Sequence, residues 1–119
     1  MNRELELNLL NHSSRILAHE DVEILQSLLE RCEDFNVLVE GQPVSKEAAR
    51  EELLDVPPGR KTDEKLVYGI FNDGQELVAV LDALPDYPEK SVWWIGLLLI
   101  DPAVRAQGLG KALVDSFIK

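Results

Sequence analysis

The feature that most constrains this 119-residue sequence is the run from Val92 to Ile100, in which every residue except Gly96 is apolar. Both sets of alternating positions are apolar, which is typical of a central strand covered on both faces of a sheet. The run is far shorter than the roughly 20 residues that a membrane-spanning helix needs. Pro102 ends it, and Gly96 predicts a bulge or a close backbone approach. We therefore expect a central β-strand here.

Two further strands are predicted before this run. Leu66–Phe71 and Leu77–Leu84 are separated by Asn72-Asp73-Gly74, and the Asp-Gly pair favours the positive φ angles of a tight hairpin turn. A loop with two prolines, residues 85–88, leads into the third strand. Tight connections make neighbouring strands antiparallel, so the second half of the chain is expected to form an antiparallel sheet.

The first half of the chain is predicted to be mainly helical. A period of two over residues 5–9 indicates a short strand, which the polar residues 11–14 are expected to end. Apolar residues from Val22 to Cys32 then recur at helical spacing. A second helix is predicted around Ala48–Leu54, with Ser45 as its N-cap.

Composition narrows the range of functions. The chain has 12 basic and 22 acidic residues, a formal net charge of −10, which is the reverse of the basic surface that nucleic acids require. Most of the acidity lies in residues 1–64, either as a solvated helix surface or as a surface that attracts a cationic substrate. Cys32 is the only cysteine, so no internal disulfide or zinc cluster is expected, and a cytoplasmic location follows. The N-terminus is too acidic for a signal peptide.

The segment from Leu97 to Gly110 reads as a strand, a turn, a glycine-containing loop and the start of a helix. Gly108 and Gly110 let a ligand approach the backbone, and free N–H groups at a helix start attract an anion such as a phosphate. Arg105 adds a positive charge. The segment has neither the third glycine of a dinucleotide-binding loop nor the Gly-Lys-Ser/Thr of a P-loop. Tight packing of helix on strand is the alternative role for the two glycines.

Residues 105–110, Arg-Ala-Gln-Gly-Leu-Gly, resemble the R/Q-x-x-G-x-G/A motif of the GNAT superfamily of acetyl-CoA-dependent N-acetyltransferases. Leu98-Leu99-Ile100-Asp101-Pro102 is similar to the end of that family's fourth strand, and the predicted element order is also the family's. The resemblance implies one GNAT-type domain over residues 1–119. Its fold would be α/β of the α+β type, with a mixed, mostly antiparallel sheet flanked by helices.

The resemblance also implies a binding site for acetyl-CoA and no metal. Backbone amides of the loop would hold the pyrophosphate, while the last residues of the strand would pair with the pantetheine arm and polarise the thioester carbonyl. The residues carried over in this way are Leu98, Leu99, Ile100, Arg105, Ala106, Gln107, Gly108, Leu109, Gly110 and Lys111.

The reaction implied is the direct attack of a primary amine on the acetyl thioester. The amine would belong to a small molecule or a peptide. The amine must first lose a proton, so a general base is required. Residues 91–100 contain no carboxylate, which leaves Asp82, Asp86 and Glu89 as candidates; each is also explained as a solvated acid. Trp93 and Trp94 are expected to point to opposite faces, one into the core and one towards an acceptor pocket.

The family's proton-donating tyrosine lies beyond the next strand, and neither Tyr68 nor Tyr87 matches its position. We therefore expect a domain truncated after the pyrophosphate-binding helix, without its C-terminal strands and helix, and inactivity of the 119 residues alone is one expected outcome. The unpaired strand edge would favour aggregation or a homodimer. Two alternatives stay open: a non-catalytic module that binds acetyl-CoA or another acyl-CoA, and an interaction domain that retains only the fold.

Overall fold

The computed structural model describes residues 12–107 and Lys111, apart from the side chains at 35, 36, 39, 40, 63 and 105–107. The strands are β1 (Ser13–Ile16), β2 (Leu66–Phe71), β3 (Leu77–Pro85) and β4 (Trp93–Ile100). The helices are α1 (Val22–Arg31), α2 (Glu33–Glu40) and α3 (Ala48–Leu54), and short 3₁₀ turns cover His19–Asp21, Thr62–Glu64 and Pro102–Gln107. The strand predicted at residues 5–9 and the motif residues 108–110 lie outside the described residues.

The four strands form one antiparallel sheet in the order β1-β2-β3-β4. The two predicted hairpins, β2–β3 and β3–β4, are confirmed. β1 is a correction, because residues 11–14 were expected to end a strand, not to enter one. Its polar Ser13 and Ser14 are tolerated because β1 pairs only with β2 among the described residues and is largely exposed. Backbone hydrogen bonds to β2 stabilise β1, although the side chains of β1 show no strand pattern.

The central strands of the described sheet are β2 and β3, not β4 as expected. All six residues of β2 are buried, and β3 is buried at every position except Asp82. In β4 only Leu99 is buried, and Trp94 and Ile95 are 50% and 43% exposed. Within the described residues β4 pairs with β3 alone. Although β4 is apolar on both faces, it therefore has only one neighbouring strand among the described residues.

Helices α1 and α3 pack on one face of the sheet. Leu25 and Leu28 of α1 and Ala49 of α3 are fully buried against Val80 of β3. The opposite face carries a second cluster around Tyr68, Ile70 and Leu81. The predicted apolar stripe of α1 is confirmed, and so is a helix that contains Ala48, Ala49, Leu53 and Leu54. No helix in the described part of the chain is long and apolar enough to cross a membrane.

Helix α2 was not predicted. The chain leaves helical geometry for one residue at Cys32 and then continues as α2, which Gly41 ends with a φ of 73°. This left-handed conformation favours glycine, since a side chain would crowd the backbone. Val37 and Leu38 of α2 are exposed. The described side chains of α2 are all exposed, so they form no buried stripe of the kind by which α1 was recognised.

The start of α3 also differs from expectation, because Ser45 is not its N-cap. The N-cap position is Glu47, and its side chain makes no capping hydrogen bond. Instead Gln26 of α1 accepts the Ala49 N–H at 2.9 Å, and its amide nitrogen donates to the Ser45 carbonyl at 2.8 Å. A side chain from the neighbouring helix therefore takes over the capping role that local sequence assigned to Ser45.

Candidate active site

A cavity of about 830 Å³ lies between the helices and the end of β4. Leu29 and Cys32 line it from the α1 side, residues 42–45 from the loop before α3, and Leu97 and Leu99 from β4. Helix α3 contributes the carboxylates of Glu51 and Glu52, joined by Asp55 after its end. The cavity therefore combines an apolar wall with an acidic wall, an arrangement suited to a ligand with a positive charge on an apolar body.

Lys65 stands behind the acidic wall with its side chain only 4% exposed. Its ammonium donates to the backbone carbonyls of Glu52 and Asp55, the latter at 2.8 Å, and lies 3.1 Å from Asp82 Oδ2. Carbonyls at the end of a helix have no partner within the helix and attract a cation. Lys65 thus caps α3 and ties it to β3 beside the cavity.

Glu52 shares this cluster. Its Oε1 lies 3.6 Å from Lys65 Nζ, and its side chain is 20% exposed. Burial is the main reason that the pKa of Glu52 rises to about 8; the hydrogen bond with Asp82 acts in the same direction, while the charge of Lys65 opposes it. The negative charge of Asp82 adds to the cost of ionising Glu52, because one cation balances only one of the two carboxylates.

A β-bulge brings β4 against this cluster. Asp82 pairs with Leu97 and Ala83 pairs with Ile95, so Gly96 is the extra residue on β4. A Cβ placed on Gly96 would lie 3.2 Å from Asp82 Oδ2. This confirms the bulge predicted at Gly96, and the missing side chain leaves room beside the Asp82 carboxylate, whose side chain is 13% exposed.

The bulge also changes which residues of β4 share a face. Regular alternation would place Trp94 with Leu98 and Ile100. Instead, Trp93 packs with Leu98 and Ile100 on the face opposite the helices. Trp94 accompanies Gly96 on the helix-bearing face, since a Cβ on Gly96 would lie 3.5 Å from Trp94 Nε1. The two tryptophans face opposite ways, with Trp93 partly buried against the core cluster and Trp94 half exposed.

The end of β4 leads directly into the turn that precedes the glycine loop. Asp101 Oδ1 accepts the Ala103 N–H at 2.9 Å and starts the Pro102–Gln107 turn. Arg31 of α1 donates to Asp101 Oδ2 and to the Leu77 carbonyl, each at 2.7 Å. The loop is therefore anchored to α1 and β3 at its first residue.

The family model for the acetyltransferase (GNAT) family matches residues 22–119. The chain belongs to the GNAT acetyltransferase family. No curated protein sequence matches it significantly.

Solved structures show the same GNAT fold. An acetyltransferase from Thermus thermophilus is 24% identical, with a TM-score of 0.75 over 94% of this chain and 70% of that one. The ribosomal-protein-S18-alanine N-acetyltransferase from Escherichia coli is 16% identical, with a TM-score of 0.57 over 90% of this chain and 57% of that one. AAC(6')-Iy, in complex with the bisubstrate analog CoA-S-monomethyl-acetylneamine, is 18% identical, with a TM-score of 0.56 over 88% and 67%.

The GNAT residues carried over for cofactor binding fall into three groups. Leu98, Leu99 and Ile100 end β4, whose other edge pairs with no strand among the described residues. The 3₁₀ turn contains Arg105, Ala106 and Gln107, while Lys111 is helical and exposed. Gly108, Leu109 and Gly110 lie outside the described residues. The N–H and carbonyl groups of an extended strand can pair with an extended, amide-bearing arm such as the pantetheine of acetyl-CoA.

The three base candidates of this GNAT chain lie in different surroundings. Asp82 belongs to the cluster with Lys65 and Glu52. Asp86 is exposed in the loop before β4, where its Oδ1 accepts the Ser91 N–H at 2.9 Å. Glu89 is exposed in the same loop.

Sequence reasoning missed Glu52 and Lys65 altogether. Asp82 carried a signal, because it is the only charged residue in an otherwise apolar strand. Glu52 carried none that separated it from its neighbour Glu51, and only the packing of α3 on β3 distinguishes them. Among the described residues, no group of three or more His, Cys, Asp or Glu side chains is arranged to hold a metal ion.

Proposed function

We propose that this chain is an N-acetyltransferase that transfers the acetyl group of acetyl-CoA to a primary amine by direct attack. The observation that carries the proposal is the acidic cavity beside the last residues of β4, in a chain of the GNAT family. Bound acetyl-CoA supplies the thioester acetyl group, whose carbon–sulfur bond breaks as a carbon–nitrogen bond to the amine forms, releasing coenzyme A as a thiol.

The chain's own groups divide this work between two sides of β4. The last residues of β4, Leu98–Ile100, and the backbone of residues 106–111 would bind the donor, as the family resemblance implies. The cavity bounded by Leu97, Leu99 and the carboxylates of α3 is suited to the acceptor. The apolar wall binds the carbon skeleton, and the carboxylates attract the ammonium group.

The charge of the chain favours a cationic acceptor, such as a diamine, an aminoglycoside or a basic peptide end. The formal net charge of −10 gives long-range attraction for such ligands. A cytoplasmic location belongs to the same proposal, since a single buried thiol is compatible with a reducing compartment.

The proposal is tested by mixing the chain with acetyl-CoA and a panel of primary amines, and by measuring free thiol and the mass of the acetylated amine. Thiol release that depends on an amine is the expected result. Calorimetric binding of acetyl-CoA without any acetylated product would favour the non-catalytic binding module instead. Absence of both binding and turnover would contradict the proposal.

Substitution at the glycine loop tests the donor side separately. Gly108→Asp would place a carboxylate where the family binds phosphates, so we expect at least a tenfold weaker Kd for acetyl-CoA, or about 1.4 kcal/mol. Gly74→Asp is the matched control, because Gly74 is exposed in the β2–β3 hairpin and has no positive φ. Equal affinity in the two variants would remove the loop from the site.

A further inference from the structure

We propose that Glu52 and Asp82 act as one proton-accepting pair that takes the proton from the acceptor ammonium, with Lys65 as their fixed counter-ion. This inference rests on the proposed acetyltransferase function. It assigns the role of general base to residues of α3 and β3. The sequence alone did not distinguish between Asp82, Asp86 and Glu89 for this role.

Three contacts hold the Lys65 ammonium group in place. An ammonium group has three donors, and those of Lys65 face the carbonyls of Glu52 and Asp55 and the carboxylate of Asp82. The side chain is almost completely buried, so an exchange of these partners for water is opposed. Lys65 therefore balances one negative charge and leaves no free donor to exchange with a substrate.

The two carboxyl groups cannot both be ionised at low cost beside a single cation. Glu52 Oε1 is buried and has no hydrogen-bond partner among the described residues, and it lies 3.6 Å from Lys65 Nζ. With one proton on the pair the cluster is neutral, and with none it carries one negative charge. Burial above all, and Asp82 in the same direction, raise the pKa of Glu52 to about 8. A pair poised near this pH accepts protons without being permanently charged.

The pair is reachable from the cavity on its Glu52 side. Glu52 lines the cavity, and Gly96 leaves space in front of Asp82. The other ionisable side chains that line this cavity are Cys32, Glu51 and Asp55, with Lys65 beside Glu52, while β4 contributes Leu97 and Leu99. A bound ammonium group would thus meet net negative charge, which favours ionisation of the pair at the moment a proton acceptor is needed.

The exposed candidates offer no such coupling. Asp86 already accepts a backbone N–H, and Glu89 is exposed; neither lines the cavity. In the proposed step an N–H bond of the ammonium breaks, its electron pair stays on nitrogen, and the proton adds to the carboxylate pair. Because 20% of the Glu52 side chain is exposed, the pair then returns the proton to water before the next turnover.

The activity test compares Glu52→Gln, Asp82→Asn and Glu52→Asp with the parent chain. Loss of a general base lowers rates by about 10²–10⁴-fold, so we expect kcat to fall about 100-fold or more in Glu52→Gln and Asp82→Asn, and to recover partly in Glu52→Asp. Glu47→Gln is the matched control, since it removes the same charge at the exposed start of α3. In the parent chain kcat/KM should rise with pH through an ionisation near 8, and this rise should vanish in Glu52→Gln.

A second measurement does not depend on turnover. Calorimetric titration with 1,4-diaminobutane at about pH 7.5, in buffers of different ionisation enthalpy, counts the protons released on binding. We expect the parent chain to release a proton as the cation ionises the pair, and Glu52→Gln to release none.

The outcomes separate the two proposals. A parent chain that acetylates no amine, yet releases the proton in the titration, contradicts the acetyltransferase function and keeps the proton-sharing pair. An active Glu52→Gln with kcat within twofold of the parent chain and the same pH profile would overturn the role of the pair. Equal proton release by the two chains would overturn it as well.

Discussion

Glu52 couples the stability of the chain to pH, because its carboxyl group is removed from water in the folded state. Its pKa is about 8 when folded, against an ordinary value of 4.5. Between these values the folded chain holds a proton that the unfolded chain has released, so the free energy of unfolding falls as pH rises. A single proton accounts for at most about 1.4 kcal/mol per pH unit.

We therefore expect Glu52→Gln to remove this contribution, because an amide does not ionise. Urea unfolding at intervals from about pH 5 to about pH 9 measures it as the difference between the two chains, in which the contributions of all other groups cancel. The parent chain should lose stability relative to Glu52→Gln up to about pH 8 and then run parallel to it. A constant difference across the range would show that Glu52 is ionised throughout.

Gln75 carries the strained backbone of the β2–β3 hairpin. Its φ is +65°, whereas Gly74, expected from the Asp-Gly pair to take this conformation, has no positive φ. The Gln75 N–H donates to the Asn72 carbonyl at 3.0 Å, and the Asn72 N–H donates to the Glu76 carbonyl at 3.0 Å. The loop thus has three residues instead of two, and a three-residue loop places the left-handed residue last.

Gln75→Gly should raise the free energy of unfolding by about 0.5–1 kcal/mol, since glycine adopts this φ without crowding its own Cβ. Gln75→Ala is the control, because it removes the exposed side chain and keeps the strain; its stability should stay within about 0.5 kcal/mol of the parent chain. Thermal unfolding of the three chains tests the difference. Equal gains from both variants would point to the side chain and not to the backbone.

At the scale of elements, Arg31 joins helix α1 to two strands. It donates to the Leu77 carbonyl at the start of β3 and to Asp101 after β4, and to Ser27 Oγ within α1 at 2.7 Å. These contacts fix the angle at which α1 crosses the end of the sheet. They also hold the residue from which the glycine loop departs.

Arg31→Ala is expected to cost about 1–2 kcal/mol, a value limited by the 41% exposure of the arginine side chain. Chemical denaturation measures it, and the Arg31→Ala/Asp101→Ala double mutant isolates the ion pair at about 0.5–1 kcal/mol. Arg50→Ala provides the comparison, since its 3.9 Å pair with Glu47 is fully on the surface and should contribute less than about 0.5 kcal/mol. A similar loss in both variants would argue against an anchoring role for Arg31.

Local sequence pattern predicts an element well when each apolar face of that element packs against a core. β2 was expected at Leu66–Phe71 and is found there, because two apolar faces meet two cores. The capping of α3 by Gln26 depends on a residue that is distant in sequence, so no local signal predicts it. For the same reason Asp82 was identified as a candidate without its partners Glu52 and Lys65.

At the scale of the whole molecule, the net charge of −10 is expected to act on ligand affinity. Raising NaCl from about 50 to about 500 mM should weaken the Kd for 1,4-diaminobutane roughly threefold to tenfold, since screening shortens the reach of the field to a few ångströms. The Kd for butylamine, which has the same carbon chain and one charge, should weaken less. Isothermal titration at each salt concentration measures both, and an equal response would show that only local contacts attract the amine.

Trp94, which the bulge at Gly96 turns towards the helix-bearing face, gives the molecule an optical probe of its own site. The indole is half exposed and meets the Tyr87 ring edge-on at a centroid distance of 5.8 Å. Trp93, the other indole, is partly buried against the core cluster on the opposite face and supplies a constant background. Trp94 Nε1 and Asp82 Oδ2 both lie beside Gly96, so an amine held at Asp82 would shield Trp94 from water and shift its emission to shorter wavelength. Fluorescence of the unlabelled protein therefore reports when the acceptor side is occupied, before any bond is made or broken.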